Sequence, residues 1–208
     1  MSAASQGNER RAELLAIAAN LFAERGLRAT TVRDIADAAG ILSGSLYHHF
    51  DSKESMVDEI LRAFLDGLFD RYRAIVGERL GPRETLEAVV VASFEAIDQH
   101  HAAVAIYQAE ARRLVDQPRF AYIGERLTEF RRLWHDVLRA GIEDGSFRAD
   151  LDVELSYRFL RDTVWVGVGW YRPGGKLGIG DIARQYLAIV LDGIAAHPAD
   201  SPNGARHA

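Results

Sequence analysis

The chain has 208 residues, of which 48% are hydrophobic and 26% are charged, and this composition is typical of a globular protein with a substantial core. It contains no cysteine, which excludes disulfide bonds and thiolate chemistry, and its apolar runs are far shorter than the roughly 20 residues that cross a bilayer. The net charge of −5 argues against a broad basic surface for indiscriminate nucleic-acid binding. The first residues lack the apolar stretch of a signal peptide, so we expect a cytoplasmic protein.

The chain is predicted to be all-α, because apolar residues recur at three- and four-residue spacing and no segment keeps the alternation of a strand. Residues 1–8 are small and polar, and we expect them to form a disordered arm. The first helix is predicted over residues 9–25, where Gly26 can cap its C-terminus.

A short helical hairpin is predicted next. Thr30 or Thr31 can cap a second helix, Gly40 permits a sharp turn, and a third helix follows over residues 43–50. Apolar residues would hold this hairpin against the first helix, namely Ile35, Ala36, Ala39, Ile41 and Leu46. Two short helices around a glycine turn are typical of a helix-turn-helix DNA-binding domain, which we assign to residues 9–55.

A long helix is predicted to begin with the capping-box pair Asp51 and Glu54 and to end near Gly77. It would join the hairpin to a larger helical body over residues 56–196. The other helices of this body are expected over residues 84–99, 102–115, 118–141, 150–171 and 181–196. Residues 197–208 are expected to form a disordered tail.

The third helix is predicted to present a face whose size and chemistry suit a DNA major groove. Its small or hydrogen-bonding residues are Ser43, Gly44, Ser45, Tyr47, His48 and His49. The Tyr47 hydroxyl can bind a phosphate, Lys53 adds a positive charge in the first turn of the next helix, and Thr31 can act similarly at the second helix. Adjacent histidines point to different helix faces, so no metal site is expected at His48 and His49, and His49 can pack as well as contact DNA.

Several spaced stretches of this region match one known signature. They are Thr31-Val-Arg-Asp-Ile-Ala-Asp-Ala-Ala-Gly40, Gly44-Ser-Leu-Tyr47, His49-Phe50 and Ser52-Lys53-Glu54. Over about residues 10–60 the chain therefore resembles the TetR family of bacterial transcriptional repressors. The resemblance implies a homodimer that binds double-stranded operator DNA, with a helical domain that pairs with a second subunit and encloses a pocket for a small-molecule effector. One departure is Leu42, where the family usually has a serine or threonine cap; Ser43 can take over that role.

Two arginines lie one turn apart in the predicted helix over residues 150–171. They are Arg158 and Arg161, and Trp165 follows Arg161 by four residues, hence on the same helix face. A guanidinium beside an indole can hold an anionic or carbonyl group while the ring covers apolar surface, which predicts a ligand-binding site. The alternative is an ion pair between Arg161 and a nearby acid, Glu154 or Asp162.

A narrower resemblance rests on residues 41–60 and on Phe159-Leu-Arg-Asp-Thr-Val-Trp165. These segments are similar to a TetR-type repressor of late cholesterol-ring catabolism that responds to a CoA thioester of a partly degraded steroid. The resemblance implies an acyl-CoA effector, pocket roles for Arg161 and Trp165, and control of sterol or lipid catabolism genes. The alternative is a TetR-type regulator of an efflux or other pathway gene that answers to a different hydrophobic ligand.

Two further questions are left open by the residues themselves. The apolar stretch over residues 164–170 and the apolar face of the last helix suit a dimer interface, although an internal monomer core would have the same pattern.

An enzyme is not predicted, because His100, His101 and Glu110 lack the spacing of a zinc site and no serine lies in a nucleophile elbow. No cofactor is expected. A purely structural helical bundle would have to explain the hairpin signature as coincidence.

Overall fold

The computed structural model describes residues 3–192, with side chains from residue 7 onward, and this part of the chain is helical with no strand. Nine α-helices follow in order: α1 Ala3–Arg25, α2 Val32–Ala38, α3 Ser43–Leu46, α4 Lys53–Gly77, α5 Pro82–Gln99, α6 His101–Leu114, α7 Tyr122–Glu143, α8 Val153–Trp165 and α9 Ile179–Leu187. The all-α prediction is confirmed. None of the helices in residues 3–192 is both long and apolar enough to cross a membrane.

The first three helices and the start of α4 form a small N-terminal unit. Its core is made by buried residues from each helix, including Leu14, Phe22, Ile35 and Leu46. Gly26 and Gly40 both have positive φ, 84° and 65°, the conformation that glycine adopts without a steric cost. The predicted end of α1 and the predicted turn between α2 and α3 are therefore confirmed.

The N-terminus differs from the expectation. α1 begins at Ala3, so the predicted disordered arm over residues 1–8 is wrong for residues 3–8. The segment contains no proline, and its alanines are strong helix formers, so the helix extends toward the N-terminus. The predicted tail over residues 197–208 lies outside the described residues.

Helix ends in the hairpin region also differ from prediction. α3 ends at Leu46 and not at Phe50, and residues 47–49 continue as a tighter turn in which His48 N–H donates to the Ser45 carbonyl at 3.2 Å. The capping box of α4 is formed by Ser52 and Ser55, one residue beyond the predicted Asp51–Glu54 pair. Both pairs have the same spacing, and the two short hydroxyls bond to each other's amides at 3.1 and 3.2 Å.

The larger unit is built around α5, which packs against α4, α6, α7, α8 and α9. α8 is shorter than predicted, because the segment with two glycines continues as a 3-10 turn, Val166–Gly169. α9 begins at Ile179 and passes into a π-helical turn, Ala188–Asp192. α4 belongs to both units, since it packs on α1, where Arg11 pairs with Glu59, and also on α6 and on α5, where the Tyr72 hydroxyl bonds to Ser93.

Candidate DNA-binding surface and ligand cavity

The start of α2 is fixed by Thr31. Its hydroxyl oxygen accepts from the Asp34 N–H at 3.1 Å, while the Asp34 carboxylate accepts from the Thr31 hydroxyl at 2.6 Å and the Thr31 N–H at 2.7 Å. These bonds lower the pKa of Asp34. Thr30, the other predicted cap, is buried and donates to the Gly26 carbonyl at 2.9 Å. Thr31 is therefore the cap of α2 and stays exposed at the surface.

α3 lies on the outside of the N-terminal unit with Leu46 turned inward. Gly44, Tyr47 and His48 are exposed, Tyr47 to 57%, while Ser43, Ser45 and His49 are half-buried. The His49 carbonyl accepts a hydrogen bond from Arg11, whose guanidinium also lies over the Phe50 ring. These contacts hold the segment that follows α3 against α1.

The N-terminus of α3 has no side-chain cap. Leu42 occupies the cap position and makes no capping hydrogen bond, so the expectation that Ser43 takes over the cap is wrong. The reason is that the helix begins at Ser43 itself, one residue too late for its hydroxyl to act as the cap. Leu42 is 80% exposed beside the outward face of α3. Sequence reasoning treated it only as a departure and overlooked it as a surface residue.

Lys53 has a structural role that the sequence did not reveal. Its ammonium donates to the backbone carbonyls of Leu27 at 2.6 Å and Thr30 at 3.1 Å, in the loop between α1 and α2. Thr31, Tyr47 and Lys53 line one open depression of about 370 Å³ together with Arg28, which sequence reasoning missed. The fold therefore brings the three predicted polar residues to one surface site.

A small cavity lies between α4, α6, α7 and α8. Its volume is about 60 Å³, and its lining is mostly apolar: Phe64, Leu65, Leu68, Phe69, Tyr107, Gln108, Arg126, Leu127, Phe130, Arg161 and Trp165. The Trp165 ring stands edge-on to Phe64 with centroids 6.4 Å apart. Burial raises the pKa of Tyr107 to about 12, so its hydroxyl is a neutral hydrogen-bonding group.

Arg161 and Trp165 line the same cavity, as their four-residue spacing predicted. Arg161 Nε donates to Asp162 Oδ1 at 2.6 Å, one of the two carboxylates that the sequence left open, and this bond lowers the pKa of Asp162. Arg158 does not reach the cavity, which corrects its predicted grouping with Arg161. Its guanidinium is exposed and held 2.7 Å from the Glu154 carboxylate, one turn earlier on α8.

Arg126 is a cavity residue that sequence reasoning missed. It lies on α7, and its guanidinium is 2.7 Å from Asp66 on α4 and 2.8 Å from Glu129. Sixty residues separate Arg126 from Asp66, so no local pattern could have revealed the pair.

A helix-turn-helix with an outward-facing third helix, joined by one long helix to a helical body with a cavity, defines a class of DNA-binding regulators. Family comparison agrees with this architecture. Residues 14–60 match the family described as bacterial regulatory proteins, tetR family, and residues 79–194 match the family described as tetracyclin repressor-like, C-terminal domain. The chain belongs to the TetR family and is a TetR-type transcriptional repressor.

The relatives that share 59–70% identity over at least nine tenths of the chain are named transcriptional repressors and not enzymes. The chain is 70% identical over 187 residues to the HTH-type transcriptional repressor KstR2 of Rhodococcus jostii (strain RHA1), covering 90% of this chain and 92% of that protein. It is 65% identical over 191 residues to KstR2 of Mycobacterium tuberculosis, covering 92% and 96%. The solved structure of the ketosteroid transcriptional regulator KstR2 of Mycobacterium tuberculosis superposes with a TM-score of 0.87, covering 90% of this chain and 96% of that chain.

Proposed function

We propose that the protein represses genes of steroid catabolism as a homodimer and leaves its operator when an acyl-CoA thioester with a steroid-derived acyl group binds between α4, α6, α7 and α8. The observation that carries the proposal is the placement of Arg161 beside Trp165 in an apolar cavity whose wall includes α4, the helix that leads to the helix-turn-helix. The name ketosteroid transcriptional regulator, which the Mycobacterium tuberculosis relative carries, supports the steroid part of the proposal, and the acyl-CoA part is what the sequence resemblance implies. Residues 9–55 then serve DNA binding, and residues 56–196 serve ligand binding and dimerisation.

The outward face of the N-terminal unit is the proposed DNA-binding surface. Ser43, Gly44 and Ser45 lie on α3 and His48 lies in the turn that follows it, where short side chains and an imidazole can approach base edges in a major groove. Their position on and directly after one short outer helix supports this role, and the exposed Leu42 at its start offers an apolar side chain to a base.

The depression beside α3 is the proposed phosphate site. Tyr47 offers a hydroxyl there and Arg28 offers a charge, whereas the Thr31 hydroxyl must leave the Asp34 carboxylate before it can donate to a phosphate. Lys53 holds the α1–α2 loop and also adds positive charge near this site, while His49 orients the end of α3.

A homodimer is supported by large apolar side chains left at the surface near α8 and α9. Val166 is 61% exposed and Trp170 is 53% exposed, and Phe159, Ile189 and Val190 are exposed as well. An apolar surface of this kind is typical of a protein–protein interface. An internal monomer core would account for the buried Val164 and Val168 but not for these neighbours.

The cavity size suggests how ligand binding is transmitted. Pockets for organic ligands have volumes of roughly 300–1,000 Å³, several times the 60 Å³ of this cavity. An acyl-CoA must therefore enlarge the space between α4 and the other walls. Because α4 carries the helix-turn-helix at its N-terminus, such a shift changes the separation of the two α3 helices in a dimer and weakens binding to two half-sites at once.

The test is operator release measured by fluorescence anisotropy, on an operator fragment selected from random DNA. We expect the CoA thioester of a partly degraded steroid to release the protein, and free CoA and palmitoyl-CoA to release it at far higher concentrations. Arg161→Ala should need at least about tenfold more thioester, since a hydrogen bond to a charged group contributes about 1.5–3 kcal/mol.

Arg158→Ala is the matched control, because Arg158 lies one turn away on α8 and is paired within that helix but does not line the cavity. A saturating steroid-derived thioester that leaves the operator complex intact would contradict the proposal. An equal response of the two arginine variants would contradict the pocket assignment.

A further inference from the structure

We propose that Arg126 is a second effector-binding residue and that it couples the cavity to α4, because Arg126 lines the cavity and its guanidinium pairs with Asp66 of α4. When an anionic or carbonyl oxygen of the effector binds this guanidinium, Asp66 loses its partner and α4 loses one of its links to α7. The inference rests on the function proposed above and adds a residue and a coupling step to it.

Arg126 is part of the cavity wall and also part of an ion pair with α4. Its side chain lines the cavity and lies over the Phe69 ring, with 5.2 Å between the guanidinium carbon and the ring centre. The same guanidinium is 2.7 Å from Asp66 Oδ1 on α4 and 2.8 Å from Glu129 Oε2 on its own helix. A ligand oxygen at Arg126 must therefore share or replace these carboxylates.

The Arg126–Asp66 pair is part of a row of polar contacts between α4 and the segment 119–129, which we call the α4–α7 seam. Arg73 of α4 is 2.8 Å from Glu129, and Arg62 of α4 donates to the Arg119 carbonyl at 3.1 Å and lies 3.9 Å from the centre of the Tyr122 ring. Among these seam residues, Arg126 is the one that lines the cavity.

The seam contacts are exposed enough to be exchanged. Asp66 is exposed while Arg126 and Glu129 are half-buried, and ion pairs that water reaches contribute little to stability because it screens them. An effector oxygen held among apolar walls interacts with the guanidinium in a medium of lower dielectric constant, where the attraction is stronger. The exchange therefore favours the ligand, and α4 loses a link to α7.

The two arginines of the cavity differ in what they hold. Arg161 is paired with Asp162, the next residue of the same helix, so replacing that carboxylate by a ligand separates no helices. Arg126 is paired across the seam. We infer that Arg161 contributes to ligand affinity alone, whereas Arg126 contributes both to affinity and to release.

The coupling is tested by operator affinity without effector, with Asp66→Asn compared with Asp70→Asn. Both carboxylates are exposed on α4 one turn apart and both are paired with an arginine, but Asp70 is paired with Arg73 in its own helix, 2.8 Å away, and its replacement leaves the seam contact between Arg73 and Glu129 in place. Asp66→Asn should weaken operator binding about two- to fivefold per subunit, the range expected for one exposed ion pair. Asp70→Asn should bind as the unmodified protein does.

The outcome that overturns the coupling is operator binding by Asp66→Asn that is equal to, or tighter than, that of Asp70→Asn. Thermal unfolding by circular dichroism checks that both variants are equally folded.

The binding role is tested by isothermal titration of DNA-free protein with the CoA thioester of a partly degraded steroid. Arg126→Met should bind at least about tenfold more weakly, and Asp66→Asn should bind more tightly, because the guanidinium is no longer shared. The binding role is overturned if Arg126→Met binds the thioester as tightly as the unmodified protein does. The proposed function would still stand in that case, provided that the thioester releases the unmodified protein from its operator. If the thioester does not bind the unmodified protein, both the proposed function and the binding role of Arg126 fail. The structural link between Arg126 and α4 is then decided by the operator affinities of Asp66→Asn and Asp70→Asn alone.

Discussion

Replacing Lys53 with methionine keeps the aliphatic stem and removes the ammonium that holds the loop between α1 and α2. The two hydrogen bonds to the Leu27 and Thr30 carbonyls have a charged donor, and such bonds contribute about 1.5–3 kcal/mol each when fully formed. Lys53 is only half-buried, so solvent screening reduces this contribution. We expect a loss of about 1–3 kcal/mol in the free energy of unfolding, with a Tm roughly 3–10 °C lower.

The assay is urea unfolding followed by circular dichroism, together with operator binding at a temperature where the variant is folded. Arg28→Met is the control, since Arg28 is exposed in the same depression. It should lower operator affinity without changing the free energy of unfolding. If Lys53→Met unfolds at the same urea concentration as the unmodified protein, the bracing role is refuted and Lys53 is only a charge beside the DNA.

Three further predictions concern the surface, the cavity and the dimer. Tyr47→Phe should weaken operator binding several-fold at unchanged thermal stability, because it removes only an exposed hydroxyl; equal affinity would exclude Tyr47 as a phosphate ligand. Because the pKa of Tyr107 is raised from 10 to about 12, its contribution to stability is complete below pH 10 and is lost as the pH rises toward 12. Tyr107→Phe should therefore make the decrease in the free energy of unfolding between pH 9 and pH 12 smaller than in the unmodified protein, as measured by urea titrations at each pH. Val166→Glu combined with Trp170→Glu should convert the dimer to monomers in analytical ultracentrifugation, and a dimer that persists would locate the interface elsewhere.

The hairpin was predictable because its determinants are local. Thr31, Gly40 and Leu46 lie within sixteen residues, and each acts through its own backbone conformation, its cap or its position on a helix face. The shared placement of Arg161 and Trp165 was predictable for the same reason, since a four-residue step on a helix returns to one face. These parts of the site follow from helical geometry before any tertiary contact forms.

Choices between equivalent local signals were decided by packing. Asp51–Glu54 and Ser52–Ser55 have the same capping spacing, and the structure uses the serines, with Ser55 buried and both Asp51 and Glu54 exposed to solvent. Arg158 and Arg161 likewise both carry a guanidinium on α8. Glu154 holds Arg158 at the surface, and only Arg161 lies level with the cavity.

The chain by itself therefore determined the helices, the hairpin and the family signature, all of which depend on residues close together in sequence. Tertiary structure alone decided that Lys53 braces the α1–α2 loop and that Arg126 meets Asp66 beside the cavity. Such contacts join residues 26 and 60 positions apart. Their formation depends on how whole helices cross, and a sequence pattern that repeats every three or four residues contains no information about that crossing.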